Sequence, residues 1–364
     1  MKTLTSRERL TRIFHHQPID RIPIWLLFPS KRWGFAANVF DSPSYAAVNR
    51  AVYGQTDQIN RIHLPCRHFM NAHPDVQEQW HGHRHSITYR DKTFCSDVVT
   101  RDGRTQVIPL CKCLEDLETL LAFPFKMDMP DTSSYAEEVS ALGDRGIPCL
   151  MMPGTLTMTH ASFDETEFAL LHVTEQERLR ACMDELQRRC VALYTHYLEM
   201  GLSDVYWIDG CEYILPPMLN PALFSYYATA DYRQLVQLVR GYGKKSMIHS
   251  HGRVGSVLAD FRQIGMDSIH PLEPPPMGDV TLRQARAALG PDTIFVGNLQ
   301  YSDLFHGFTE EEIEAKTLDI IAESHNGPII LSVSASPIVE DLPPHAARNY
   351  LRVIETCLTH GRYA

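Results

Sequence analysis

The sequence predicts an α/β protein built as a (β/α)8 TIM barrel with a β-hairpin insertion near the N-terminus. First, six short apolar runs alternate with helix-like stretches over the C-terminal two-thirds, which is typical of βαβ units and a parallel sheet. Second, RIPIWLL near the N-terminus adds a seventh run. Third, no GxGxxG follows a strand, so the doubly wound sheet is the weaker alternative. The six runs are PCLMMPG (148–154), DVYWIDG (204–210), KSMIHSHG (245–252), DSIHPLEP (267–274), TIFVGNLQ (293–300) and PIILSVSAS (328–336).

The helix-like stretches carry start signals of their own. Thr174 precedes Glu177 and Thr309 precedes Glu312, the spacing of a capping box. Several of these stretches also end in glycine, a frequent helix stop. Helices are therefore expected between the apolar runs.

Residues 76–112 follow a different pattern, in which polar and apolar residues alternate around Asp102-Gly103. Alternation about an Asp-Gly pair predicts an antiparallel hairpin with the pair at its turn. We expect one domain, 1–364, with this hairpin inserted in the barrel.

Composition excludes several classes of protein. Apolar residues make up 44% and charged residues 21%, which are ordinary globular values, and the formal charge of -10 argues against a nucleic-acid binder. No apolar run approaches the ~18 residues of a membrane span, and the charged N-terminus lacks a secretory h-region. The nine scattered cysteines form no CxxC pair. These features predict a cytoplasmic protein with reduced thiols.

The stretch KSMIHSHGRV places His249 and His251 at the end of an apolar run, followed by glycine. Residues two apart on a strand point to the same face, so the two imidazoles can reach one object. In a barrel of this kind the active site lies at the carboxyl ends of the strands. The other polar residues at predicted strand ends are Asp209, Glu212, Glu273, Asn298, Gln300, Ser332, Ser334 and Ser336.

Two imidazoles and one carboxylate would make a three-ligand zinc site with an open position for substrate or water. Asp209, Glu212 and Glu273 are the candidates for the carboxylate, and we place Glu212 with His249 and His251 as the predicted metal ligands. The alternative is that His249 caps the strand while His251 bonds a carboxylate. A second group, His81, His83 and His85, is expected to be a solvated polar face of the hairpin.

The chain resembles the uroporphyrinogen decarboxylase superfamily over its whole length. The resemblance lies in SRERLTRIFHHQPIDRIPIW, GYGKKSMIHSHGRV, IGMDSIHPLEP, GPDTIFVGNLQ and the late THGRY. This superfamily of (β/α)8 barrels contains cofactor-free decarboxylases of uroporphyrinogen and zinc methyltransferases that exchange methyl groups with corrinoid proteins and thiols. The resemblance also suggests a homodimer.

The sequence departs from both branches. The decarboxylase branch has an arginine-rich run after the N-terminal tryptophan, where this chain has LLFPSKRWGF, and the acid of its GN-(aliphatic)-Asp is Gln300 here. The methyltransferase branch has His-x-Cys-Gly where this chain has His-Ser-His-Gly, and its second cysteine falls near Ser334. An imidazole in place of a thiolate is still a zinc ligand, but it leaves the metal less electron-rich and a better Lewis acid.

The first hypothesis is therefore zinc-dependent methyl transfer between a small methylated substrate and a corrinoid or thiol, with the corrinoid on a separate protein. Asp209, Glu273, Asn298 and Gln300 would be the catalytic residues, and Trp25 and Phe28 an apolar wall. The second hypothesis is cofactor-free decarboxylation of a carboxylated, tetrapyrrole-like substrate held by Arg21, Lys31 and Arg32. The third is a barrel that binds a ligand without catalysis. No nucleic-acid or membrane partner is expected.

Overall fold

The computed structural model describes residues 3–31, 36–101 and 104–363. Eight parallel strands form a nearly closed barrel with helices between them, so the predicted fold class is confirmed. The strands of the chain are β1 (Ile24–Trp25), β2 (Gln58–His63), β3 (Gln77–His81), β4 (Arg84–Tyr89), β5 (Lys92–Arg101), β6 (Arg104–Ile108), β7 (Gly146–Met152), β8 (Val205–Ile208), β9 (Lys245–Ser250), β10 (Ser268–Pro271), β11 (Ile294–Leu299) and β12 (Ile329–Val333).

Helices cover the outside of the barrel, and the layer between helices and strands is apolar. The α-helices are α1 (Ser6–Phe14), α2 (Ala46–Gln55), α3 (Leu114–Leu121), α4 (Ser133–Leu142), α5 (Thr155–His160), α6 (Glu165–Thr174), α7 (Gln176–Glu199), α8 (Pro221–Phe224), α9 (Ala230–Gly241), α10 (Leu258–Ile264), α11 (Leu282–Leu289), α12 (Tyr301–Phe305), α13 (Glu310–Glu323) and α14 (Pro344–His360). None of the helices in the described residues is long and apolar enough to cross a bilayer.

The barrel strands follow the order β1-β12-β11-β10-β9-β8-β7-β2. All seven predicted runs contain a strand of this barrel. The eighth strand, β2, was not predicted, because its sequence QINRIH places Asn60 and Arg61 in the middle of the run. Parallel strands buried on both faces usually read as continuous apolar runs, and this one does not.

β1 and β2 stand at the two ends of that strand order, so a seam separates them. At the N-terminal end of the barrel strands the seam is closed by Asp57, which lies just before β2. The carboxylate of Asp57 accepts a hydrogen bond from the Ile24 N–H (2.9 Å), and its own N–H donates to the Ile24 carbonyl (2.7 Å). Arg9 and Arg21 each donate to the same carboxylate, at 2.6 and 2.7 Å. A buried charge network thus holds the first two barrel strands together.

The insertion predicted as a hairpin is a four-stranded antiparallel sheet, β3-β4-β5-β6. β5 and β6 pair with Arg101 opposite Arg104, on either side of the predicted turn. The turn residues themselves, Asp102 and Gly103, lie outside the described residues. His81 and His83 are exposed, as expected. The prediction for His85 is wrong, because its ring is buried and bonds Glu78 at 2.8 Å.

The two predicted capping boxes have different outcomes. Thr309 caps α13 reciprocally with Glu312, so that prediction is confirmed. The box at Thr174 is wrong, because Thr174 ends α6 and its hydroxyl donates to the Leu170 carbonyl instead. Such back-bonding to the preceding turn competes with a cap.

A buried histidine far from the strand ends predicts how stability depends on pH. The Nδ1–H of His172 donates to the Phe168 carbonyl (2.6 Å), and burial lowers the pKa of His172 to about 4. Between this value and the unfolded pKa of ~6.5, the unfolded chain binds more protons than the folded one, so stability is lost as the pH falls. From pH 7 to pH 5 the loss attributable to His172 should be about 2 kcal/mol. Urea unfolding of the wild type and His172→Gln at both pH values measures it.

The matched control is His325→Gln, because His325 is exposed. The free-energy difference between wild type and His325→Gln should stay the same at the two pH values. If the His172→Gln difference is equally insensitive to pH, the argument from burial is wrong.

Candidate active site

The polar residues predicted at strand ends meet at the carboxyl end of the barrel. His249 is near the end of β9, His251 follows it, and their ring centroids are 4.5 Å apart with the planes nearly perpendicular. We call His249 and His251 the imidazole pair. The prediction that the two rings reach a common place is supported by this distance.

His249 belongs to a hydrogen-bonded chain that fixes its tautomer. In the neighbouring strand β10, His270 lies directly opposite His249, and the two Nδ1 atoms are 2.9 Å apart. The Nε2 of His270 is 3.0 Å from the Val333 carbonyl, which can only accept, so His270 carries its proton on Nε2. Its Nδ1 must then accept from the Nδ1–H of His249. This network assigns the lone pair of His249 to Nε2.

The neutral forms of His249 and His270 are favoured. Burial lowers the pKa of His249 and of His270 well below the usual value, and the neighbouring imidazoles lower it further. Sequence reasoning missed His270, whose run DSIHPLEP shows only a lone histidine before proline. Its signal was positional, because neighbouring parallel strands bring His249 and His270 into register.

His251 is held from its other side by Glu273. The His251 Nδ1 lies 3.3 Å from Glu273 Oε1, and Glu273 Oε2 accepts the Gly252 N–H at 2.8 Å. Gly252 has φ +85°, a conformation that a side chain would strain. Burial disfavours the charged form of His251, but Glu273 outweighs it and raises the pKa. In the neutral form of His251, a proton on the Nδ1 that faces Glu273 would leave the lone pair on Nε2.

Asn298 and Gln300 hold the segment that carries Glu273. The Asn298 amide donates to the Leu272 carbonyl (3.2 Å), and the Gln300 amide donates to the Pro274 carbonyl. Both amide groups therefore bond backbone on either side of Glu273. In this geometry the two amides position the segment that carries the carboxylate, and their catalytic role stays a prediction.

Asp209 and Glu212 follow β8 and differ in their environment. Thr157 donates to Asp209 Oδ1 (2.8 Å), and the Tyr232 hydroxyl donates to the Asp209 carbonyl (2.6 Å), so Asp209 organises the loop. Burial, opposed by the Thr157 hydrogen bond, still raises the pKa of Asp209. Burial, with the charge of Asp209 adding to it, raises the pKa of Glu212 to about 7. Glu212 is close enough to His251 for each to shift the pKa of the other.

Two tryptophans form the floor of the site inside the barrel. Trp207 of β8 stacks on His249 with centroids 4.5 Å apart, and Trp25 of β1 lies edge-on to Trp207 at 6.1 Å. Trp25 also lies 5.7 Å from the His270 ring. The predicted wall residue Trp25 is thus beside the histidine chain, and Trp207 was missed because DVYWIDG was interpreted only as a buried strand.

The other predicted substrate-binding residues are Arg21, Phe28 and Arg32. Arg21 lies before β1, at the opposite end of the barrel, and donates to Asp57. The position of Arg21 is therefore that of a structural residue. Phe28 is buried against the rings of Tyr45 and Tyr350, at 6.1 and 5.4 Å. Arg32 lies outside the described residues.

The imidazole pair fits a zinc ion in one respect and leaves another open. Ligating histidines usually donate their second ring N–H to a neighbouring acceptor. His249 has such an acceptor in His270, and the Nδ1 of His251 lies 3.3 Å from Glu273. Within the described residues, however, no three His, Cys, Asp or Glu side chains are already grouped for a metal. His249 and His251 would supply two pre-oriented ligands, and Glu212 or another carboxylate would have to move to complete the set.

Fold and site together define a TIM barrel with ionisable side chains at the carboxyl ends of its strands, where barrel enzymes have their active sites. A family model described as uroporphyrinogen decarboxylase (URO-D) matches residues 148–356, more than half of the chain. The chain belongs to the uroporphyrinogen decarboxylase family.

The structure is similar to that of a methyltransferase from Methanosarcina mazei, with a TM-score of 0.61 and 14% identity over 97% of this chain and 98% of that one. Weaker matches include the GH20 catalytic modules of the pneumococcal StrH (TM-score 0.44, 10% identity, 94% and 86% covered) and D-psicose 3-epimerase from Clostridium cellulolyticum H10 (0.38, 9%, 69% and 94%). At these identities the likeness shows the fold alone. Among curated proteins, none matches the sequence.

Proposed function

We propose that this chain is a zinc-dependent enzyme that takes part in methyl transfer, with His249 and His251 as metal ligands through Nε2. The observation that carries the proposal is what lies behind the two rings: His249 donates from Nδ1 to His270, and the Nδ1 of His251 faces a Glu273 carboxylate oxygen 3.3 Å away. Each contact leaves a lone pair on the Nε2 of a ring at the carboxyl end of the barrel. Glu212 is the proposed third ligand, since its charge already acts on His251.

Zinc bound there would act as a Lewis acid on a heteroatom of the substrate. The protein's own contribution is to keep the site ordered and dry. Glu273 orients His251, Asn298 and Gln300 fix Glu273, and Trp25 and Trp207 exclude water beneath the rings. Asp209 keeps the loop that carries Glu212 in place. The substrate is a small methylated molecule, and the acceptor is a corrinoid on a separate protein or a thiol.

The test is elemental analysis of protein purified with added zinc. We expect about one zinc per chain in the wild type and only background metal in His249→Ala and His251→Ala. The matched control is His345→Ala, because His345 is an exposed histidine on α14. Circular dichroism establishes that each variant is folded. Methyl transfer from free methylcobalamin to a thiol is then assayed with the same proteins.

A wild type without zinc after this treatment would contradict the proposal.

Cofactor-free decarboxylation is the second candidate, favoured by the carboxyl of Glu212. With a pKa of about 7 that group can donate a proton at neutral pH to the carbanion that loss of CO₂ leaves. Release of CO₂ from a carboxylated substrate by metal-free protein would support it.

A further inference from the structure

Tyr232 reaches from the outer helix layer to the back of the candidate active site. It belongs to α9, and its side chain is fully buried. Its hydroxyl donates to the Asp209 carbonyl oxygen at 2.6 Å, just beyond the end of β8. Burial raises the pKa of Tyr232 well above its usual value, so the hydroxyl keeps its proton and remains a donor at neutral pH. An outer helix is thereby bonded to the backbone that leads into Glu212.

Two glycines leave the space that this hydroxyl occupies. A methyl group on Gly154, which follows β7, would lie 2.6 Å from the Tyr232 hydroxyl and would also meet the Asp209 carbonyl. A methyl group on Gly210 would lie 2.9 Å from the same hydroxyl. Gly210 also has φ +101°, a conformation that strains other residues. The Tyr232 hydroxyl therefore fills a gap between the ends of β7 and β8 that side chains at these two positions would close.

The peptide group that joins Asp209 and Gly210 is held at both of its polar ends. Its C=O accepts from Tyr232, and its N–H donates to Glu212 Oε2 at 3.2 Å. A peptide group is planar, so the direction of its C=O also fixes the direction of its N–H. Thr157 adds a bond to the Asp209 side chain at 2.8 Å. The Tyr232 hydroxyl and the Glu212 carboxylate are thus connected through one rigid group.

We propose that Tyr232 is a positioning residue for Glu212 and acts through the peptide group between Asp209 and Gly210. The inference rests on the proposed function for the role of Glu212 as a metal ligand, but the positioning itself needs no metal. Glu212 has to move to reach a metal at the imidazole pair. With the peptide group fixed, rotation of the Glu212 side chain accounts for that movement, whereas a loose peptide group would start the carboxylate from many positions and weaken it as a ligand.

The first test measures zinc affinity by competition with a fluorescent chelator. We expect Tyr232→Phe to weaken zinc binding about tenfold, the smaller end of the range for losing a group that supports a metal ligand. The matched control is Tyr206→Phe. Tyr206 is a fully buried tyrosine of β8, and its hydroxyl donates to the Leu202 carbonyl at the opposite end of the barrel. Its substitution should change zinc affinity by under about twofold.

The effect of Tyr232→Phe must also pass through Glu212. In a Glu212→Ala background, Tyr232→Phe should weaken zinc binding by under about twofold more, because two residues that act as a unit are not additive. A general loss of packing would weaken binding to the same degree in both backgrounds. An undiminished effect in the Glu212→Ala background would overturn the proposal, as would wild-type affinity in Tyr232→Phe.

A second measurement uses the metal-free protein. Hydrogen exchange of the Gly210 amide reports on its bond to Glu212, and we expect it to be about tenfold faster in Tyr232→Phe and unchanged in Tyr206→Phe. Exchange at the wild-type rate in Tyr232→Phe would contradict the positioning. If Glu212→Ala binds no measurable zinc, this exchange rate decides.

The two proposals fail in different ways. Faster exchange in Tyr232→Phe with no zinc in the wild type would refute only the metal function. Zinc binding that is insensitive to Tyr232→Phe would refute only the positioning. If Tyr232→Phe does not fold, Thr157→Val takes its place in both measurements, because it frees the Asp209 side chain in the same turn.

Discussion

Replacing Asp57 with asparagine is expected to lower the free energy of unfolding by about 3 to 5 kcal/mol, the usual cost of breaking a buried ion pair. Asp57 is fully buried and accepts from Arg9, Arg21 and the Ile24 N–H. The substitution preserves its shape but leaves Arg21 beside a neutral amide and leaves Arg9 with Asp20 as its remaining carboxylate. Urea unfolding monitored by tryptophan fluorescence measures the change, since Trp25 belongs to β1, the strand that Asp57 anchors.

The control for this experiment is Asp204→Asn. Asp204 pairs with Lys244 at 2.8 Å, but its side chain is 67% exposed. Its loss should cost no more than about 1 kcal/mol. If Asp57→Asn is as stable as Asp204→Asn, the charge network does not hold the seam.

Replacing His270 with phenylalanine is expected to weaken zinc binding about 10- to 100-fold, the usual effect of losing the partner behind a ligating histidine. Phenylalanine can still pack between Trp25 and Trp207 but cannot accept the Nδ1–H of His249. His249 would then be free to adopt the tautomer that presents N–H where the metal needs a lone pair. Competition with a zinc-binding fluorescent chelator measures the affinity.

A purely structural role for His270 would show itself differently. His270→Asn retains an acceptor near His249 and should recover part of the affinity, whereas lost packing would not be recovered by a smaller side chain. His172→Phe removes a buried histidine outside the site and should leave zinc affinity unchanged. Wild-type affinity in His270→Phe would contradict the assigned tautomers.

The sequence predicted those parts of the molecule where one residue pattern has one structural consequence. Apolar runs separated by capped helices predicted seven of the barrel strands. The spacing of His249 and His251 predicted two rings on one side of a strand. β2 escaped because Asn60 and Arg61 interrupt its apolar run. Because β2 was not predicted, sequence reasoning also did not place Arg61 inside the barrel, where its guanidinium lies over the rings of Trp25 and Trp207.

Contacts between strands could not be read from the chain in the same way. The bond from His249 to His270 depends on the register of β9 and β10, and the engagement of Asn298 and Gln300 depends on how the chain leaves β10. Arg21 looked like a cation available to substrate because the sequence does not show Asp57 opposite it. Each of these facts concerns residues brought together by tertiary packing.

The strand order also determines when the site comes into being during synthesis. β1 has its ladder partner in β12, where Ile24 pairs with Leu331, almost a full chain length away. Such distant pairing is formed late, because a long loop must close before it gains any contact. The ribosome must therefore release the chain as far as β12 before β1 gains its ladder partner and Trp25 is fixed beneath the histidines, and until then the nascent barrel remains open along one side.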